Sequence, residues 1–98
     1  MDVFGYMKYK PKYTTRIRKQ IKLLEKHGYD MNLFKEVVGM LLDENPLPFK
    51  YQDHPLRGDK RGYRGCHIQS DWVLIYKIEK DELILILSET GTHSNIFR

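Results

Sequence analysis

Three strand-sized segments follow one another in the second half of the chain, and the links between them are too short to allow many folds. The segments are Gly62 to Ile68, Trp72 to Glu79 and Glu82 to Ser88, joined through Gln69-Ser70-Asp71 and then through Lys80-Asp81 with its neighbours. A parallel crossover needs roughly a dozen residues, so segments linked this tightly pair as antiparallel neighbours.

The first half reads differently. Tyr6-Met7-Lys8-Tyr9-Lys10 alternates aromatic or apolar residues with lysine, a short strand pattern ended by Pro11. From Thr14 or Thr15 as a cap, Ile17, Ile21 and Leu24 recur at helical spacing, with Arg16, Arg18, Lys19, Lys22 and Lys26 between them. Gly28 closes this helix. Asp30 caps a second, in which Leu33, Val37, Met40 and Leu41 form the apolar stripe. Gly39 costs roughly 1 kcal/mol of helix propensity relative to Ala, which marks it as a point of close packing. Asn45-Pro46-Leu47-Pro48 ends the helix and begins an extended connection. The expected fold is α+β in β-α-α-β-β-β order, a two-helix hairpin packed on a small, mainly antiparallel sheet.

Ninety-eight residues suffice for one domain, residues 1–98, with one core and no room for a large buried cofactor. The longest apolar runs, Trp72 to Tyr76 and Leu83 to Leu87, fall far short of a bilayer span, so no membrane association is expected. Met1-Asp2-Val3-Phe4 leads directly into mixed polar sequence rather than a signal peptide. Cys66 is the single cysteine; it allows neither an internal disulfide nor a cysteine cluster for zinc, and a reducing cytoplasm is the simplest compartment. A net charge of +4 favours an anionic partner, either nucleic acid or an acidic protein.

Three of the four histidines fall in the second half. Imidazole titrates near neutrality, so several on a small basic protein suggest proton transfer on a polyanion. His67 and Asp71 flank a tight turn; a carboxylate beside an imidazole favours the charged form, which suits a proton donor, although both also fit as solvated turn residues. Trp72 can pack in the core or stack on a base. His54 lies in a loop made basic by Arg57, Lys60, Arg61 and Arg64, either a solvated face or a phosphate-contacting one. His93 sits in Gly91-Thr92-His93-Ser94, a segment that would fray were Ile96-Phe97 not available as an anchor. His27, in the last turn of the first helix, complements the helix dipole. The histidine spacings fit no metal-binding motif, and Cys66 inside a strand reads as a packed thiol.

Together these segments resemble the YafQ branch of the RelE-like toxins of bacterial type II toxin-antitoxin systems. The likeness runs from Asp53-His54-Pro55-Leu56-x-Gly58, through Gly62-Tyr63-Arg64-x-x-His67-Ile68-x-x-Asp71-Trp72-x-Leu74-Ile75-Tyr76, to Thr90-Gly91-Thr92-His93-Ser94-x-x-Phe97. The resemblance implies the RelE-like fold and a ribosome-dependent endoribonuclease that cuts messenger RNA by attack of the ribose 2′-hydroxyl on the adjacent phosphate, with no metal or other cofactor required. It implies as partners the ribosome, with its ribosomal and messenger RNA, and a cognate DinJ- or RelB-like antitoxin of ribbon-helix-helix type. The catalytic positions it implies are His54, His67, Asp71 and His93, with His93 as general acid, His67 and Asp71 on the base side, and His54 supporting the phosphate or the base. Trp72 and Phe97 would shape the pocket or contact bases, and Arg57, Lys60, Arg61 and Arg64 would contact RNA.

One position departs from this pattern. Members commonly carry Arg immediately before the Thr-Gly-Thr/Ser-His run, whereas this chain has Glu89. A carboxylate beside a scissile phosphate repels it, so either Arg57, Lys60, Arg61, Arg64 or Arg98 supplies the missing charge or turnover is slow. On that reasoning Glu89→Arg raises cleavage. The same residue is the best sequence argument for an alternative, a module of this fold that occupies ribosome or antitoxin without cutting. A third reading, a plain basic nucleic-acid-binding domain, predicts salt-sensitive binding to isolated RNA or DNA.

Overall fold

A computed structural model describes residues 7–97. Strand β1 (Lys10–Tyr13) leads into helices α1 (Thr15–Lys26) and α2 (Met31–Leu42), and a short strand β2 (His54–Pro55) precedes the long strands β3 (Arg64–Gln69), β4 (Trp72–Glu79) and β5 (Ile84–Thr92). A single-turn helix, α3 (His93–Ile96), follows β5 directly. The five strands lie in the order β1-β5-β4-β3-β2. All neighbours are antiparallel except β1, which runs parallel to β5.

Local sequence accounts for the helices. The Thr14 hydroxyl accepts the Ile17 N–H at 3.0 Å and caps α1. Gly28, at φ +83°, carries the left-handed turn between the helices, and the Asp30 carboxylate accepts the Asn32 N–H at 3.0 Å to start α2. Ile17 and Leu24 of α1, with Phe34, Val37, Val38, Leu41 and Leu42 of α2, are buried against one face of the sheet. Gly39 is not a point of close packing, because a Cβ placed there meets nothing within 4 Å.

The five residues Trp72 to Tyr76 are all buried because β4, between β3 and β5, is covered on both faces. Trp72, Leu74 and Tyr76 join the helix-covered core, while Val73 and Ile75 face the other way and form a second apolar cluster with Ile96, flanked by Leu56 and Tyr63.

The strand boundaries differ from expectation: β3 spans Arg64–Gln69 rather than Gly62 to Ile68, β5 begins at Ile84 rather than Glu82, and three further differences have structural causes. The first strand begins at Lys10 and runs through Pro11, rather than ending there; Met7 to Tyr9 precede it, and Tyr6 lies outside the described residues. Pro11 is accommodated because β1 is an edge strand that pairs only with β5. The connection after α2 contributes β2, whose His54 and Pro55 pair with Gly65 and Arg64. Finally, β5 continues past Ser88 to Thr92 by way of a bulge: Tyr76 pairs with Leu87 and Ile75 with Glu89, which leaves Ser88 without a partner.

Candidate active site

Alternation along the strands assembles the site on the sheet face that α1 and α2 leave uncovered. Cross-strand partners share a face, so His54, Gly65, Ile75 and Glu89 form one rung across β2, β3, β4 and β5, and His67, Val73 and Gly91 form the next. The bulge at Ser88 matters here. Leu85 and Leu87 face the helices; the extra residue resets the period so that Thr90 takes that side and Glu89 turns to the open one.

Helix α1 secures the bulge. The Thr14 hydroxyl donates to the Ser88 carbonyl at 2.7 Å, and the Gln20 side-chain carbonyl accepts the Thr90 N–H at 2.8 Å. Thr90, 1% exposed, also donates its hydroxyl to the Val73 carbonyl and accepts from the Trp72 indole, both at 2.8 Å.

His93 enters the same face from α3. Thr92 caps that turn through Asn95, the His93 N–H donates to the Asp71 carbonyl at 2.9 Å, and Ile96 packs down beside Gly91. This is an anchored turn. The His93 ring lies 6.3 Å from the His67 ring and 4.7 Å from that of Phe97, centre to centre. His54, His67, His93 and Phe97 thereby surround one cavity of about 260 Å³, floored by Leu56, Gly65, Val73 and Ile75. A Cβ on Gly65 would come within 3.2 Å of Leu56, so the glycine leaves this floor open.

Two of the imidazoles are held in a defined tautomer. His54 Nδ1 lies 2.8 Å from the Gln52 carbonyl and His67 Nδ1 lies 3.1 Å from that of Ser70. A carbonyl only accepts, so Nδ1 carries the proton in both rings and Nε2 is left to exchange protons with a ligand. Gln52 (φ 49°) and Ser70 (φ 47°) occupy the left-handed region at these turns.

Several residues singled out in the sequence are placed differently. The Asp71 carboxylate is exposed, and among the described residues no ion pair joins it to His67; Ser70 orients that ring instead. Trp72 offers no face to a base, being 3% exposed between Tyr29, edge-on at 5.1 Å, and Phe34, stacked at 6.4 Å. Arg64 is committed to Asp53 through two contacts of 3.3 Å, and Asp53 also accepts the Tyr76 hydroxyl at 2.6 Å. Arg57 and Lys60 line a second hollow of about 390 Å³ whose wall shares Leu56 and Phe97 with the histidine cavity. Arg61 lies exposed further out, where it lines a shallow depression with Leu56, Arg57 and Gly58. His27 caps the C-terminal end of α1.

Sequence reasoning missed the apolar floor and the partners of Glu89. Alternation in β4 carries the signal for the floor, since a strand buried on both faces needs a second cluster to cover Val73 and Ile75. Glu89 is 9% exposed and bonds Lys60 Nζ at 2.9 Å and Arg16 Nη1 at 3.2 Å. Nothing in the spacing of Arg16, Lys60 and Glu89 announces that cluster. Among the described residues, no group of three or more His, Cys, Asp or Glu side chains is arranged to hold a metal ion.

The sequence and the fold both have known relatives. The chain matches, over residues 9–98, the family described as bacterial toxin of type II toxin-antitoxin system, YafQ. It is 41% identical over 86 residues to the mRNA interferase toxin YafQ of Escherichia coli K12, covering 87% of this chain and 91% of that protein. Its fold is similar to the toxin in the E. coli DinJ-YafQ complex, with a TM-score of 0.83 at 37% identity, covering 92% of this chain and 99% of that one. It is similar also to a metal-bound toxin from Helicobacter pylori, with a TM-score of 0.86 at 40% identity, covering 91% and 99% of the two chains. With a matching fold, a family match over residues 9–98 and 41% identity to the E. coli toxin over most of both chains, the chain belongs to the YafQ family of bacterial type II toxin-antitoxin toxins.

Proposed function

We propose that the protein is the toxin of a type II toxin-antitoxin pair and an mRNA interferase that cuts translated messenger RNA by acid-base catalysis. The observation that carries this reading is the convergence of His54, His67 and His93 on one cavity. Its context is a family whose E. coli relative is named an mRNA interferase.

The reaction needs a base for the 2′-hydroxyl, an acid for the departing 5′-oxygen and positive charge on the phosphate. As the base withdraws its proton, the 2′-oxygen attacks phosphorus; the bond from phosphorus to the 5′-oxygen breaks, and the acid protonates that oxygen. The products are a 2′,3′-cyclic phosphate and a 5′-hydroxyl end. His67, with Nδ1 bound to Ser70 and Nε2 free, suits the base. His93, facing the His67 ring across the cavity and tilted against Phe97, is the acid. His54, fixed in the same tautomer as His67, contacts the phosphate or assists the base. Asp71 contributes through its main chain, which holds the His93 N–H. Phe97, 36% exposed, offers a face to a base.

A cavity of about 260 Å³ accommodates little more than one nucleotide step, so the ribosomal decoding site supplies the alignment of the message. The partner that silences the toxin is a cognate antitoxin presenting an acidic, amphipathic segment to this basic protein, as charge complementarity favours; the E. coli DinJ-YafQ toxin-antitoxin complex is a solved pair of a related toxin with its antitoxin. A non-cleaving module was suggested by Glu89 alone. Its charge is compensated by two cations, which removes that argument.

Primer extension on a translated messenger tests the reading. Wild type should cut only during translation, and His93→Ala should lose cleavage while keeping its fold and antitoxin binding. Cleavage by a folded His93→Ala protein at the wild-type rate would overturn it.

A further inference from the structure

Among the described residues Glu89 is the one charged residue that is buried, and it sits on the same cross-strand rung as His54. A carboxylate in that position is tolerated only when paired. Its two oxygens are taken by different cations, Oε1 by Arg16 and Oε2 by Lys60, so the buried charge is paired twice, while the exposed Asp59 carboxylate lines the same two hollows as Lys60. Lys60 is a half-buried side chain, 27% exposed, with one of its ammonium N–H groups given to Glu89 and two without a partner among the described residues. It lines two hollows that adjoin the histidine cavity. One shares Leu56 and Phe97 with that cavity; the other, between Lys60, Tyr63 and Glu89, shares Ile75.

We propose that Lys60 is the cation that stabilises the reacting phosphate, and that Glu89 is the positioning residue that holds its ammonium at the rim of the histidine cavity. This inference rests on the ribonuclease reading above. Charge stabilisation is effective when the donor is already in place as negative charge grows on the non-bridging oxygens. A lysine on a mobile surface turn gives up side-chain freedom to meet a phosphate, whereas one anchored by a buried carboxylate has lost most of it already. The other basic residues of the segment are less suited: Arg64 is committed to Asp53, and Arg57 and Arg61 are exposed. The bulge that turns Glu89 to the open face is thus the device that places Lys60. Glu89 does not act as an electrostatic brake, and Glu89→Arg, which brings three cations together, lowers cleavage.

Steady-state cleavage of a messenger on programmed ribosomes separates these roles. Lys60→Ala should lower kcat about 100-fold with KM changed less than threefold, the loss expected for one transition-state donor. Lys60→Arg should recover most of it. Glu89→Gln, nearly isosteric, should lower kcat about tenfold, and the double variant Lys60→Ala with Glu89→Gln should be no slower than Lys60→Ala alone. A carboxylate acting as a brake gives the opposite sign, since its neutralisation speeds the reaction. The inference is overturned if Lys60→Ala retains wild-type kcat or if Glu89→Gln raises it. Should Glu89→Gln fail to fold, the contrast between Lys60→Ala and Lys60→Arg decides alone. A wild-type protein that leaves translated messenger intact overturns the ribonuclease reading itself, and this inference with it.

Discussion

Cys66 lies between Gly65 and His67 of the histidine cavity, but its side chain turns to the helix-covered core and burial makes it a poor nucleophile. Loss of hydration pushes its thiol pKa from 9.0 up to about 12, with the negative Asp53 adding to the rise and Arg64 partly offsetting it. At pH 8 the thiolate fraction is then on the order of one in ten thousand. Iodoacetamide should label the native protein at least a hundredfold more slowly than the same chain in urea; rapid native labelling at pH 8 would contradict the packed-thiol assignment. The sign of the linked stability follows. Because the folded value is the higher one, the thiol's contribution is complete below about pH 9 and declines as pH rises towards 12, where the unfolded chain alone has ionised. The neighbouring Tyr76 hydroxyl, buried and donating to Asp53, is likewise pushed well above the usual phenol range, chiefly by burial and then by that hydrogen bond. Asp53 thereby ties Tyr76 and Arg64 to the segment that presents His54.

At the scale of elements, the β5 bulge and its fastening to α1 govern the site. Gln20 is the acceptor for the buried Thr90 N–H, and Thr90 in turn bonds Trp72 and Val73. An apolar side chain of similar size at position 20 leaves that N–H unsatisfied, at a cost of about 1–3 kcal/mol. Gln20→Leu should therefore lower the urea midpoint by a corresponding amount and also slow cleavage, because Glu89 adjoins Thr90. Gln20→Glu, which keeps an acceptor, should stay near wild type; equal stability of Gln20→Leu and wild type would show that the bulge does not depend on α1. This element was not legible in the sequence. Leu83, Leu85 and Leu87 keep a period of two up to Ser88, and no residue type in Ser88-Glu89-Thr90 signals that the period shifts there. The helix caps, by contrast, could be read directly: Thr14 and Asp30 act through their own side chains within three residues, so tertiary context cannot displace the signal. Strand β4 was legible to its boundaries, Trp72 and Glu79, since turn residues flank it on both sides.

For the whole molecule, the sheet divides the labour between its faces, with α1, α2 and most of the core on one and the histidine cavity on the other. Which histidines meet was legible only through the family resemblance. His54, His67 and His93 lie on three different elements, and their proximity depends on the register of β2, β3 and β4 and on the docking of α3. Charge is distributed over both sides: Arg16, Arg18, Lys19, Lys22 and Lys26 are exposed along α1, while Arg57, Lys60 and Arg61 surround the open face. If the proposed function holds, a protein of net charge +4 with its cations so placed would meet ribosomal RNA through its phosphates, each neutralised phosphate releasing counterions. With roughly three such contacts, raising monovalent salt from about 50 to about 200 mM should weaken binding to programmed ribosomes roughly twentyfold at constant magnesium. The chemical step takes place inside the bound complex between groups already in contact, so single-turnover cleavage at saturating ribosome should change by less than twofold. Affinity that is independent of salt would mean that apolar contact, not phosphate neutralisation, brings this toxin to its target.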